Sequence, residues 1–387
     1  MRASSVARAL PALAALALAT ALPAQLRADG RPEDPSWFPI GVWLQSPHNA
    51  QRYREIGVGL YIGLYDGPTT AQLEALAAAG MPVVCHQNDV ALAWRGPGIA
   101  GWLHQDEPDN AQGRRLSGYA PPIPPHEVVR AYESMQRADD RPVLLNLGQG
   151  AAWDGWHGRG ERTNHPEDYP EYVKGCDVVS FDIYPVTHPH REVRGRLEFV
   201  GRGVERLRRC TRGQKPVWAC IETAHVHDPD TRPTPAQVRA EVWIALACGA
   251  DGIVYFAHEF APRFVEAGLL AHDDVRDGVA ALNREVRSFA AVLNGPKLAD
   301  AVAVTGAPAD AFAVRAHRHD GALWLLVASL SPDAQRLRVA VRGQRDGEVH
   351  DLDAGGDGAP LEAGPGDDGA FAVALAGYAS RRFRVTR

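Results

Sequence analysis

Short apolar runs recur along most of the chain, and none alternates cleanly with polar residues. They are Ile40–Leu44, Leu60–Tyr65, Pro82–Cys85, Ile99–Leu103, Pro142–Leu147, Asp177–Phe181, Pro216–Ile221 and Gly252–Phe256. Near-continuous apolar runs suit strands buried on both faces, as in a parallel sheet covered by helices. The segments between them carry helix punctuation. Thr69-Thr-Ala-Gln72 and Thr234-Pro-Ala-Gln237 are capping boxes, the second with Pro at the first helical position. His126–Ala138 places Val128, Val129, Tyr132 and Met135 at three-and-four spacing, and Asp274–Leu293 does the same with Val279, Leu282, Val286 and Phe289. Only the link between the third and fourth runs is too short to predict a helix. Eight strands alternating with helices over residues 39–295 predict a (β/α)8 barrel, a TIM barrel in the α/β class. A doubly wound open sheet is the weaker alternative, because no glycine-rich nucleotide turn follows any run.

Beyond Asn294-Gly295-Pro296 the period changes to two. Ala311–His317, Leu323–Val327, Arg336–Arg342, Phe371–Leu375 and Arg382–Val385 alternate, with turn signals at Arg345–Gly347 and Gly364–Gly369. This predicts a small C-terminal antiparallel β-sandwich over 296–387. At the other end, Arg2 and Arg8 precede an apolar run from Ala9 to Leu22 and small residues at Ala19, Ala21 and Ala24. That order is a secretory signal, so residues 1–24 are expected to be removed on export to the periplasm or the medium. A polar lead-in segment, 25–38, follows. No later stretch is long and apolar enough to span a membrane.

Composition narrows the classes further. The 387 residues hold 41 Lys and Arg against 47 Asp and Glu, a net charge of −6 without a basic block, so no nucleic-acid partner is expected. The five cysteines are an odd count for an exported chain; Cys176 and Cys210 are the one pair considered for a disulfide. No CxxC occurs, which removes a zinc ribbon. The pattern does not set an oligomeric state.

The chemistry of such a barrel sits where its strands end. Polar residues just past the runs are therefore the candidates for binding: His86 and Asn88 after the third, Asp106 and Glu107 after the fourth, Asn146 in the fifth, Asp182 and Tyr184 after the sixth, Glu222 after the seventh, His258 after the eighth. Glu107 and Glu222 end strands on opposite sides of the mouth. A facing carboxyl pair suits glycoside hydrolysis, in which one group protonates the departing oxygen and the other attacks the anomeric carbon or activates water. Burial and the nearby anion are expected to raise the Glu107 carboxyl and keep it protonated. Trp153 and Trp156, in the Gly-rich stretch 148–160, and Tyr255 offer ring faces for sugars; Trp43 and Trp102 read equally as core.

Asp106-Glu107-Pro108, Glu222 after Pro-Val-Trp-Ala-Cys-Ile, and Gly249-Ala-Asp-Gly-Ile-Val-Tyr-Phe256 resemble the clan A retaining glycoside hydrolases over roughly residues 39–294. The resemblance implies Glu107 as acid/base, Glu222 as nucleophile and Tyr184 as a hydrogen-bond donor to it, acting on an oligo- or polysaccharide without cofactor or metal. The clan places Asn before the acid/base, whereas this chain has Asp106, which adds negative charge there and alters the sugar contact. Two alternatives accompany this reading. One is a barrel that binds carbohydrate without cleaving it. The other is a metal-dependent hydrolase, suggested by the ligand-like spacing of His225-Val-His227; metal-dependent barrels carry such a pair after the first strand, where this chain has Gln45-Ser-Pro-His48.

Overall fold

The protein is described here from a computed structural model covering residues 25–114, 117–342, 348–353, 360–361 and 370–386. The proposed signal segment and the turns at 345–347 and 364–369 lie outside the described residues. Eight parallel strands close into a barrel: β1 (Ile40–Trp43), β2 (Leu60–Ile62), β3 (Val83–His86), β4 (Ile99–Leu103), β5 (Val143–Leu147), β6 (Val178–Phe181), β7 (Val217–Glu222) and β8 (Gly252–Phe256). Each pairs with its neighbours in sequence, and β1 closes on β8 through Ile40↔Ile253 to Val42↔Tyr255. All eight apolar runs became barrel strands, because each has two faces to bury. Ile62, Leu144, Val178, Trp218 and Val254 fill the interior, while Val83, Leu145, Val179, Ala219 and Ile253 meet the helices outside.

The helices follow their predicted punctuation. In α2 (Thr70–Ala78) the Thr69 hydroxyl accepts from the Gln72 N–H at 3.3 Å while the Gln72 side chain accepts from Thr69 N–H at 2.9 Å. The same reciprocal cap opens α7 (Pro235–Cys248), which stops at Gly249 in a left-handed conformation, φ 102°. Further helices are α1 (Ala50–Glu55), α4 (Pro125–Ala138), α5 (Tyr169–Tyr172), α6 (Glu198–Cys210), α8 (Gly268–Ala271), α9 (Asp273–Ser288) and α10 (Ala290–Leu293). One link departs from expectation. Between β3 and β4 a five-residue helix, α3 (Asp89–Ala93), forms because the Asn88 side-chain Oδ1 accepts the Ala91 N–H at 2.8 Å.

The C-terminal region forms a six-stranded and a three-stranded antiparallel sheet, as the period-two pattern predicts. Their facing residues, among them Leu325, Val327, Leu337, Val339, Phe371 and Phe383, make a separate core. Ala313, Leu326, Ala328 and Leu330 instead join the core of the barrel's outer layer, against α6 and α7. The Arg382 guanidinium lies over the rings of Trp243 and Phe289, 4.7 and 4.9 Å from their centroids, and pairs with Glu285 of α9. Tyr378 donates to Glu198 of α6 at 2.8 Å.

The disulfide considered for Cys176 and Cys210 does not form. All five thiols are free; Cys176 is buried at the start of β6 with its Sγ towards the Val173 carbonyl, and burial pushes it up to about 12. No helix among the described residues is long and apolar enough to cross a membrane.

Candidate active site

A cavity of about 430 Å³ opens at the C-terminal ends of the strands. Its polar wall is built by β4, β5 and β6. Asp106 and Glu107 follow β4, Asn146 belongs to β5, and Asp182 and Tyr184 follow β6. Ser180 Oγ donates to Asn146 Oδ1 at 2.8 Å, and Asn146 Nδ2 donates to Asp106 Oδ1 at 3.0 Å. That chain of bonds fixes the orientation of Asn146 and holds Asp106 at the wall. The opposite wall is aromatic, with Trp43, Phe256, Phe260, Phe264 and Tyr65, and His227 and His258 between.

Two residues at the cavity have left-handed backbones without being glycine: Leu44 at φ 46° and Glu107 at φ 43°. Such a conformation costs on the order of 1 kcal/mol and persists only where the surroundings enforce it. At Glu107 the enforcement is visible. Its N–H donates to the Asn146 carbonyl at 3.1 Å, and its own carbonyl accepts from Asn110 N–H at 3.1 Å. Behind it, Asp109 is fully buried, accepting from the Gly148 N–H at 2.9 Å and from Tyr169 Oη at 3.0 Å.

Glu107 and Asp182 both line the cavity, and the Asp182 charge acts on the Glu107 carboxyl. By exposed area both are half-buried, but that area opens only onto the cavity; protein encloses them on the other sides. Enclosure is the main cause that pushes Glu107 well above the carboxylate range, with the Asp182 charge next and Asp106 and Asp109 adding to it. Asp182 is pushed up to about 7, again chiefly by enclosure, and the nearness of Glu107 works the other way. Two like charges this close cannot both ionise, so the pair holds one proton near neutrality. Both carboxyls are pushed upward, and protonation of either relieves the other. Tyr184 lines the cavity beside Asp182.

Glu222 differs from its expected place. It is fully buried and does not line the cavity. Its carboxylate accepts from the Val186 N–H at 2.5 Å, the Thr187 N–H at 3.1 Å and Thr187 Oγ1 at 2.7 Å, with Glu241 of α7 beside it. Trp218 and Cys220 face the barrel interior, and the same parity carried on to Glu222 predicts an inward side chain. The donors on the loop after β6 turn it away, and Cys220 is the β7 residue at the cavity.

Other candidates part company in the same way. Tyr255 points out of the barrel and donates to Asn283 Oδ1 of α9 at 2.7 Å; its neighbour Phe256 takes the inward position. Asn88 is spent on the cap of α3, and its amide nitrogen donates to the Pro68 carbonyl at 2.9 Å. His86 bonds the Leu103 carbonyl at 3.2 Å and stays off the cavity. Trp153 is buried, and Trp156 donates to Asn110 Oδ1 at 2.9 Å; both pack against His188 and neither lines this cavity. The rim aromatics Tyr65, Phe260 and Phe264 were not anticipated. The signal available for them was an apolar residue inside a polar loop, at Phe260 and Phe264 in His258–Phe264. A second hollow of about 530 Å³ adjoins the first and shares Leu44, Tyr65, His258 and Phe264 with it.

A family model described as a glycoside hydrolase family 42 β-galactosidase matches residues 135–293. The resemblance to barrel glycosidases holds. Across the whole chain, a putative α-galactosidase/melibiase from Bacteroides fragilis NCTC 9343 superposes with a TM-score of 0.52 at 12% identity, covering 91% of this chain and 79% of that one. An α-amylase from Anoxybacillus covers 92% of this chain and 99% of its own at 10% identity, with a TM-score of 0.44. No curated protein sequence matches. The sequence match and the expected resemblance agree on a glycoside hydrolase, and the first superposition supports the barrel.

Proposed function

We propose that the protein hydrolyses a glycosidic bond in the 430 Å³ cavity, with Glu107 as proton donor and Asp182 as the second carboxylate. The observation that carries this is that the two carboxyls line one cavity at the strand ends, both pushed upward by burial, walled by Asp106 and Asn146 on one side and aromatic rings on the other. The cavity volume suits a sugar ring or two. Glu107 gives its proton to the departing oxygen, and Asp182 stabilises or attacks the positive anomeric carbon left behind. Retaining enzymes hold such a pair ~5–5.5 Å apart and inverting ones ~6.5–9.5 Å apart, with the sugar between. Asp106, where the clan has Asn, accepts from Asn146 and turns the wall into an acceptor for sugar hydroxyls.

The expected role of Glu222 as nucleophile has less support than Asp182 in that role, because its oxygens already accept three hydrogen bonds off the cavity. Residues 1–24 are read as an export signal, which places the activity outside the cytoplasm. Aryl β-galactosides, after the matched family's description, head the substrates to assay.

The test is turnover of an aryl-glycoside panel by four forms of the chain. Glu107→Gln and Asp182→Asn are each expected to lower kcat by roughly 10²–10⁴ with melting temperature retained. Glu222→Gln is expected to melt earlier while keeping most of its kcat. Full turnover by folded Glu107→Gln ends the reading, and a folded but inactive Glu222→Gln beside an active Asp182→Asn moves the second role to Glu222.

A further inference from the structure

Beside the cavity, the loops after β7 and β8 and the residue before α9 bring together His225, Glu259 and His272. One ligand atom from each lies within 4.8 Å of the others. His272 Nε2 is 2.8 Å from Glu259 Oε2, and the His225 and His272 rings stand edge to face with centroids 5.7 Å apart. We propose that these three side chains bind a divalent transition-metal ion, of the zinc class, that clamps the aromatic side of the cavity.

Two imidazoles and one carboxylate, with room for water, form a donor set that zinc takes. The mixed nitrogen and oxygen set favours such an ion over magnesium or calcium, which prefer oxygen alone. The surrounding contacts orient the set. His225 Nδ1 lies 3.2 Å from the Asp228 carbonyl, which fixes the ring as the tautomer that donates from Nδ1 and leaves the Nε2 lone pair free for an ion. Asp228 is held in turn by Arg194 at 2.9 Å. Glu259 is anchored by paired backbone bonds with Val265, both 2.9 Å, and Phe260 N–H donates to the His225 carbonyl at 3.0 Å. The ligand-bearing loops are therefore tied to each other before any ion arrives. The Glu259 side chain is 10% exposed and that of His272 26%, so the set is enclosed yet reachable from solvent.

The position gives the ion something to hold. Val226 and His227 line the cavity next to His225, and His258 and Phe260 line it on either side of Glu259. Both loops thus present one set of side chains to the cavity and turn the ligand-bearing residues elsewhere. His225 is the member of the His-Val-His pair that joins the cluster, whereas His227 belongs to the cavity. An ion here sits beside the reacting carboxyls rather than on them, so the proposal stands whether or not Glu107 and Asp182 cleave a glycoside.

The experiment is zinc titration of the full chain after stripping with a chelator, followed by calorimetry and by visible spectroscopy with Co²⁺ as the substitute ion. Uptake of about one Zn²⁺ per chain, a raised melting temperature and ligand-field bands from bound Co²⁺ are expected. His225→Ala, and His272→Gln, which keeps a donor for Glu259, are each expected to weaken Zn²⁺ at least tenfold or so while melting like the stripped wild type. Mg²⁺ is expected to leave the melt unchanged. Absence of Zn²⁺ uptake by the folded wild type, or uptake equally strong in both variants, overturns the proposal.

Discussion

At the scale of single residues, two pairs of buried carboxyls set how the molecule answers pH. Glu107 and Asp182 meet at the cavity, and Glu222 and Glu241 meet away from it. Glu222 is pushed up to about 7, by burial first and against its bonds from Thr187 and Val186; burial and the Glu222 charge lift Glu241 well beyond the ordinary range. The unfolded chain gives up these protons near 4.5, whereas the folded chain keeps them. Below 4.5 both states are protonated and nothing is lost. Between about 4.5 and 7 the folded state forfeits stability as pH rises, at about 1.4 kcal/mol per pH unit for each proton it retains. Urea unfolding from pH 5 to 8 is therefore expected to show falling stability, and Glu241→Gln, an uncharged stand-in for the protonated acid, is expected to flatten that fall. Parallel slopes for the two proteins would refute the assignment. Residue identity was legible in the sequence here, but pairing was not. Glu107 was marked by its place after an apolar run; that its partner is Asp182 depends on which way each strand-end side chain turns. A strand buried on both faces carries no polar alternation to reveal that parity. Tyr255 and Phe256 show the cost, since both are aromatic and only the second faces the cavity.

At the scale of elements, the punctuation of the helices and the apolar runs of the strands carried most of the information. Both capping boxes formed as read, and the short α3 was hidden only because Asn88 caps it through a contact that also removes Asn88 from the site. Helix α6 adds a constraint that no local pattern announces. Gly203 sits over the ring of Phe181 at the end of β6, where a methyl group would meet Phe181 Cε2 at 2.1 Å. Alanine is the better helix former by ~1 kcal/mol. Gly203→Ala is nonetheless expected to lower stability by roughly 1–3 kcal/mol, because the buried ring must shift. A chemical-denaturation midpoint equal to or above the wild type would show that the ring yields freely.

At the scale of the whole molecule, the C-terminal sheets serve as a wall for the barrel. Ala313, Leu326, Ala328 and Leu330 complete the outer core, and Arg382 covers Trp243 and Phe289 while pairing with Glu285 and Asp353. Ending the chain after Asn294 strips that cover from α6, α7 and α9. The shortened chain is expected to aggregate or to melt well below the full one on size-exclusion and thermal analysis; a monodisperse product with an unchanged melt would show that the barrel is self-sufficient. The change of period at residue 296 announced a second architecture. What it could not announce was the surface joining the two, since that depends on which side of each strand meets α7.

The partition between the two neighbouring hollows is made of Leu44, Tyr65, His258 and Phe264, and Tyr65 and Phe264 stand 81% and 61% exposed. Exposed rings swing between rotamers in nanoseconds or less. The boundary of the reaction chamber is thus drawn by one swinging door, Tyr65, against a jamb of packed rings at Phe264, His258 and Phe260, and the length of guest that fits follows the position of the door.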